Sequence, residues 1–168
     1  MKTLVVYKSS TGFTEQYANW ISEELGCNAL SIRKVKKSEL EKYDCIVYGG
    51  WIMGNMVMGL NKVMDIKPKK LIVFGVGASP VSNTTIEEIR KQNNIGDIPL
   101  FYMEGGFRFE KLNFIKRLML KMVKNSIEKM ENKGEKDIYM EKVLGTSFDN
   151  SDKKYVKELV TFIRENFK

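Results

Sequence analysis

The fold is decided by residues 3–14, TLVVYKSSTGFT, where an apolar strand runs through a hydroxyl-rich turn into a helix. The predicted strand is 3–7, and a helical pattern begins near Glu15. The turn contains Ser9, Ser10, Thr11, Gly12, Phe13 and Thr14. Backbone N–H groups at a helix N-terminus lack partners and attract anions, and the hydroxyls can donate as well. Because glycine also allows close approach to the backbone, the turn predicts a phosphate site.

Helix capping is the alternative explanation for these hydroxyls, although one capping residue would suffice. The turn matches neither GxxxxGK[ST] nor GxGxxG, so a phosphomonoester fits better than a nucleoside triphosphate or NAD. The turn itself contains no lysine or arginine, and Lys8 lies just outside it. We therefore expect the helix dipole and the hydroxyls to hold the phosphate.

Composition limits the possible chemistry. The 168 residues suit a single domain, 1–168, and contain no histidine, which excludes histidine-based acid–base catalysis and Ser-His triads. Redox activity would therefore need a bound organic cofactor.

Cys27 and Cys45 have no metal-binding spacing and are expected to be reduced. The short apolar run at the start predicts neither a signal peptide nor a membrane span, so a cytoplasmic location is expected.

The net charge of +7 comes from 28 basic and 21 acidic residues. A positive excess attracts anionic ligands, membranes or nucleic acid, and alone it selects none of them. No nucleic-acid recognition motif accompanies the charge, so no nucleic-acid partner is expected.

Strand and helix patterns alternate along the chain. Strands are predicted at 3–7, 29–32, 45–48, 71–74 and 99–103, and helices at 16–25, 38–42, 59–65, 83–92 and 155–167. This alternation predicts an α/β fold with a doubly wound, five-stranded parallel sheet. Ligands of such sheets bind beyond the carboxyl ends of the strands. The loops at 9–14, 49–55 and 75–82 should therefore meet at one site.

The first loop matches the (S/T)-x-T-G-x-T phosphate signature of flavodoxins, and the chain resembles that family. The resemblance implies the flavodoxin-like strand order 2-1-3-4-5 and FMN as the cofactor. It also implies flavin contacts from the second and third loops. The residues concerned are Gly50, Trp51, Ile52, Met53, Gly54, Asn55, Gly75, Val76, Gly77 and Ala78.

Within the second loop, Met53 and Gly54 match a Met-Gly pair that lies against the flavin ring in the family. The resemblance implies that the Gly54 peptide turns its carbonyl toward flavin N5, which glycine permits by tolerating positive φ. Asn55 replaces an acidic residue often found there, which should ease reduction. Trp51 either stacks on the ring or packs in the protein.

The third loop lacks the aromatic side chain with which flavodoxin shuttles commonly cover the outer flavin face. An uncovered face would admit a substrate. The alternative is that another segment closes over the ring, with Phe107 or Phe109 as candidates.

The segment at about 105–148 is longer than a compact connection needs. A helix is predicted at 111–131, with an apolar arc of roughly 200° flanked by basic residues. Such a helix suits an anionic membrane surface or a partner. A helix packed between the subunits of a homodimer would show the same pattern.

Gly105-Gly106-Phe107-Arg108-Phe109 and the basic helix after it resemble the insert of menaquinone-dependent protoporphyrinogen dehydrogenases, a flavodoxin subgroup. This resemblance implies an FMN oxidoreductase at the inner membrane face that passes electrons from a protoporphyrinogen-like substrate to a quinone. The basic segment that this subgroup has after its fourth strand is missing. A soluble flavodoxin-type shuttle between redox proteins is the alternative, and a non-redox binding module on the same fold is the second.

Overall fold

The computed structural model describes residues 1–167 and contains a parallel sheet with helices on both faces. The strands are β1 Thr3–Lys8, β2 Asn28–Ser31, β3 Cys45–Met53, β4 Met56–Val57, β5 Leu71–Gly77, β6 Leu100–Glu104, β7 Gly106–Phe107 and β8 Phe148–Asp149. The helices are α1 Phe13–Leu25, α2 Lys37–Leu40, α3 Leu60–Met64, α4 Asn83–Gln92, α5 Phe114–Glu128, α6 Glu135–Val143 and α7 Lys154–Asn166. The main sheet has the order β2-β1-β3-β5-β6. Since β4 is a short hairpin strand, this confirms the predicted order of the five main strands.

Alternating side chains of the strands form two apolar layers. Val5 and Val47 face α1 and α7, whereas Leu4 and Ile46 face α2, α3 and α4. All four of these side chains are fully buried. Strands that are apolar on both faces are typical of a parallel sheet between helices, so the fold follows from these uninterrupted runs.

The third strand is longer than predicted. β3 continues through Gly49 and Gly50 to Met53, although the two glycines were expected to open a loop. A Cβ atom on Gly49 would overlap the ring of Phe74, and one on Gly50 would lie 2.7 Å from Cγ1 of Val57. The glycines therefore mark close packing of the strand, which corrects the predicted loop 49–55.

A two-residue hairpin turn follows β3. Gly54 and Asn55 have φ angles of 55° and 64°, as a type I′ turn requires, and Met53 pairs with Met56. The buried Asn93 side chain donates to the Asn55 carbonyl at 2.8 Å. It also accepts from the backbone N–H of Val57 at 2.9 Å. One buried amide thus fixes the hairpin to the end of α4.

The insert after β6 contains more structure than the one predicted helix. α5 begins at Phe114 because Asn113 caps it, its side chain accepting from the N–H of Lys116 at 2.9 Å. α6 and the antiparallel pair β7–β8 were not predicted. Gly105 joins this pair to the main sheet, since its N–H donates to the Gly77 carbonyl at 2.7 Å and its carbonyl accepts from Asn150. Within residues 1–167, no helix is both long and apolar enough to cross a membrane.

Candidate functional site

The predicted phosphate loop lies between β1 and α1. Its Gly12 is the N-cap of α1, with φ 104° and no side-chain capping bond. The first helical hydrogen bond runs from Gln16 N–H to the Gly12 carbonyl at 2.9 Å. The N–H groups of Phe13, Thr14 and Glu15 therefore precede the helical ladder and have no partner in the described part of the chain. A helix start of this kind provides donors for an anion.

Two cations from the insert reach this loop. Arg108 Nη1 donates to the Thr11 carbonyl at 3.1 Å, and Lys116 Nζ donates to Ser10 Oγ at 2.7 Å. The Arg108 guanidinium also lies 4.4 Å from the centre of the Phe13 ring. The expectation based on the dipole and the hydroxyls did not include these two side chains. The cations were missed because they lie about a hundred residues away in sequence and only the fold brings them to the loop.

The position of these cations supports an anion site. The N-terminus of a helix carries a partial positive charge, so Arg108 and Lys116 lie where the dipole of α1 repels them. Arg108 forms one ion pair, with Asp149 at 3.8 Å, and Lys116 forms none among residues 1–167. A phosphate between the helix start and the two side chains would balance this charge. The residues present therefore fit a phosphate-bearing cofactor.

A cavity of about 380 Å³ opens beside the loop. Its volume falls within the range of roughly 300–1,000 Å³ that is usual for small-molecule sites. It is lined by Ser9, Ser10, Thr11, Phe13, Thr14, Trp51, Ile52, Met53, Met58, Val76, Gly77, Ala78, Gly106, Phe107, Leu112, Lys116, Met119 and Leu120. The three predicted loops thus meet at one cavity, together with residues of the insert.

Five of the predicted site residues lie off this lining. They are Gly12, Gly50, Gly54, Asn55 and Gly75. Gly50 and Gly75 are strand residues covered by Val57 and Ile52. Asn55 turns outward, where its side chain donates to Glu88 at 3.0 Å and accepts from Lys136.

The tip of β3 forms one wall of the cavity. Met53 lines it while remaining 45% exposed, so this side chain lies at its mouth. Trp51 also lines it, and Lys116 Nζ lies 5.5 Å from the Trp51 ring centre. Tyr48 supports this wall from below, since its hydroxyl donates to the Met58 carbonyl at 2.8 Å.

The insert provides the opposite wall. Phe107 lines the cavity and packs against Phe148 at a ring-centre distance of 5.8 Å, whereas Phe109 lies outside this cavity. Of the two aromatic candidates, Phe107 is therefore the one at the site. Leu112, Met119 and Leu120 add apolar surface that the sequence reasoning did not assign to the site. Periodicity had indicated an apolar helix face without indicating what it covers.

The cavity lining has no carboxylate or thiol that could act as an acid or base. Burial raises the pKa of Cys45 to about 11, so this thiol stays protonated at neutral pH. Burial and the hydrogen bond to Glu15 raise the pKa of Tyr7 to about 12. Within the described residues, no cluster of acidic or cysteine side chains could hold a metal ion.

Comparison with solved structures finds several flavodoxins. A flavodoxin from the domain Archaea is 21% identical, with a TM-score of 0.46, over 62% of this chain and 83% of that one. Oxidised flavodoxin 1 from Bacillus cereus is 19% identical, with a TM-score of 0.42, over 62% and 84%. A WrbA-like flavodoxin from Agrobacterium tumefaciens is 18% identical, with a TM-score of 0.42, over 60% and 82%. No curated protein matches the sequence.

The comparison with family models is more decisive. The flavodoxin domain model matches residues 4–137, which is most of the chain and includes all three loops. The cofactor expected from the resemblance, FMN, is thereby confirmed at the level of the family. We conclude that the chain belongs to the flavodoxin domain family.

Proposed function

We propose that the protein is an FMN-dependent oxidoreductase that passes electrons from a reduced, protoporphyrinogen-like substrate to a quinone. The observation that carries this proposal is the apolar wall that Leu112 and α5 add to the cavity beside the phosphate loop. FMN, when bound, supplies the exchange of one or two electrons. A wall made of Leu112, Met119 and Leu120 suits an apolar organic reactant.

The phosphate loop would anchor the cofactor. Hydroxyls of Ser9, Ser10, Thr11 and Thr14 and the free N–H groups at the start of α1 would donate to the phosphate oxygens. Arg108 and Lys116 would balance the phosphate charge. Holding the phosphate at this end directs the rest of the cofactor into the cavity, toward the tip of β3.

The other two loops would surround the ring. Trp51, Ile52 and Met53 from β3, Val76 and Gly77 from β5, and Ala78 just after it supply one apolar surface, and Phe107 supplies part of another. These side chains exclude water, which strengthens polar contacts inside the cavity. Gly54, with φ 55°, has the freedom to turn its peptide toward the ring edge.

A soluble shuttle between redox proteins is the second candidate. The exposure of Met53 at the cavity mouth favours it, because an exposed ring edge permits electron transfer to a docked protein. The oxidoreductase and the shuttle differ in the molecule that accepts electrons from the flavin. An apolar reactant site predicts saturable reaction with a quinone, whereas a shuttle predicts fast reaction with a protein acceptor.

Met119→Trp is expected to slow quinone reduction by about tenfold or more. The larger side chain would take up space in the cavity and hinder the approach of the quinone, and a barrier higher by about 1.4 kcal/mol corresponds to a tenfold lower rate. The measurement is stopped-flow reoxidation of the dithionite-reduced FMN protein by menadione. Met122→Trp is the matched control, because Met122 is 62% exposed on the same helix and lies outside the cavity. Equal rates in the two variants, with faster reoxidation by a redox protein than by menadione, would favour the shuttle.

The outer face of α5 supports contact with a membrane surface. Phe114, Ile115, Leu118, Met119, Met122 and Val123 are between 46% and 79% exposed on this one helix. Basic residues flank them, with Arg117, Lys121 and Lys124 along one side. We propose that this face rests on an anionic bilayer, from which an apolar quinone would reach the cavity.

Ile115→Glu combined with Met122→Glu should abolish binding to phosphatidylglycerol vesicles. Each exposed apolar side chain that enters the bilayer contributes about 1.5–3 kcal/mol, and a carboxylate would keep it in water. Flotation of the FMN-loaded protein measures the effect. Val81→Glu combined with Ile138→Glu is the control, since both side chains are exposed apolar residues outside α5 and the charge change is equal. Loss of flotation in the control pair alone, or in neither pair, would contradict the proposed contact.

A further inference from the structure

A second cavity lies on the other side of α5. It has a volume of about 700 Å³ and is lined by Phe109, Phe114, Arg117, Leu118, Leu120, Lys121, Lys124, Leu144, Gly145 and Thr146. Leu120 lines both cavities, so this residue separates the second cavity from the FMN cavity. The second cavity includes none of the three flavodoxin loops, and flavin binding therefore does not account for it.

The second cavity is apolar at its centre and cationic along one edge. Leu144 is 2% exposed and Phe109 is partly buried, so these two form a floor. Arg117, Lys121 and Lys124 lie on successive turns of α5 and form no ion pair within residues 1–167. No carboxylate lines the cavity. The positive charge along this edge is thus left without an internal counterion.

Arg117 is exposed, and two hydrogen bonds to backbone carbonyls hold its guanidinium in position. Its Nε donates to the Leu112 carbonyl and its Nη2 to the Glu110 carbonyl, both at 2.9 Å. The guanidinium lies 5.2 Å from the centre of the Phe109 ring. These contacts use backbone oxygens and a ring face, and none neutralises the charge. A fixed guanidinium beside an apolar floor is preorganised for a ligand with an anionic end.

We propose that this cavity binds an amphipathic monoacid, an apolar chain that ends in a carboxylate. The chain would lie on Phe109, Leu118 and Leu144, and the carboxylate would face Arg117, Lys121 and Lys124. The cationic edge favours an anionic group on the ligand, and the apolar floor favours a hydrocarbon chain attached to it. The inference rests on this cavity alone and holds whether the FMN site acts on a quinone or on a protein. It concerns the protein free of membrane, because Leu118, Lys121 and Lys124 also belong to the face proposed above to contact a bilayer.

The test is calorimetric titration of the FMN-loaded protein with decanoate at concentrations where it remains monomeric. Bound FMN prevents decanoate from taking the place of the flavin, the lysine variants below separate this cavity from the reactant wall of the first one, and the flavin absorbance of each sample reports separately on the proposed function. Wild type should bind one decanoate and should bind decanol at least tenfold more weakly. Lys121→Gln combined with Lys124→Gln should weaken decanoate binding by about tenfold or more, as expected when charge-assisted hydrogen bonds are lost.

Lys111→Gln combined with Lys129→Gln is the control for net charge, because both lysines are exposed and lie outside this cavity. Retention of decanoate binding by this control supports a defined site. Equal loss in both double variants, equal affinity for decanol, or binding only to phosphatidylglycerol vesicles would overturn the proposal. Loss of flavin absorbance in the wild type would count against the proposed function instead, and would leave the decanoate comparison of the variants interpretable.

Discussion

Replacement of Gly12 by valine is expected to abolish retention of FMN. Gly12 has φ 104°, a region that a β-branched residue avoids, and a Cβ atom there would lie 2.6 Å from Nη1 of Arg108. The substitution would therefore move both the start of α1 and the arginine. Loss of two charge-assisted hydrogen bonds costs about 3–6 kcal/mol, which corresponds to an affinity at least about 100-fold lower. Fluorescence titration with FMN measures the loss.

Gly26 provides the matched control at the other end of the same helix. It also has a positive φ, 62°, but a Cβ atom there would meet nothing within 4 Å. Gly26→Ala should lower the free energy of unfolding by about 1–2 kcal/mol and leave the FMN affinity unchanged. If Gly12→Val does not fold, Gly12→Ala tests the same backbone strain. A folded Gly12 variant with wild-type affinity would refute the phosphate loop.

Arg108→Gln and Lys116→Gln are expected to weaken FMN binding while sparing riboflavin. The two cations reach the phosphate loop, at Thr11 and Ser10, and riboflavin has no phosphate for them to neutralise. Each substitution should lower the affinity for FMN by roughly 10- to 100-fold, which is the effect of losing one hydrogen bond to a charged group. The measurement is a pair of titrations, with FMN and with riboflavin, for each variant.

Lys8→Gln is the control for this pair. Lys8 is close to the loop in sequence, but its side chain runs beside Gly59 and does not line the cavity. Its replacement removes the same charge and should leave both affinities unchanged. If the Arg108 and Lys116 variants bind FMN and riboflavin equally more weakly, these residues support the fold of the site and do not act by binding the phosphate.

The parallel sheet and the meeting of the three loops could be predicted from local sequence patterns, whereas the strand order followed from the resemblance to flavodoxins. Continuous apolar runs such as 45–48 indicate buried parallel strands, and parallel strands place their following loops at one edge. The glycines of the third strand were a less reliable guide to the local structure. Gly49 and Gly50 favoured a loop on local grounds, yet contact with Phe74 and Val57 from neighbouring strands requires glycine inside the strand. That requirement depends on neighbours that are distant in sequence.

In the insert, too, local sequence patterns did not predict contacts with residues that are distant in sequence. Periodicity correctly indicated a helix with a broad apolar face, because helical spacing is local. It did not indicate that Lys116 on that helix reaches Ser10, 106 residues earlier in the chain. It also did not separate Phe107, which lines the first cavity, from Phe109, which lines the second. Phe107 and Phe109 are only two residues apart, and it is the packing of α5 between the two cavities that places them at different ones.

FMN binding at the loop 9–14 is tested most directly by gel filtration of the purified protein after incubation with FMN, with absorption spectra recorded before and after dithionite and menadione. We expect one FMN to be retained per chain, the flavin bands to bleach with dithionite, and the bands to recover with menadione. A protein that elutes folded but without flavin would contradict the central claim that the loop at residues 9–14 holds FMN.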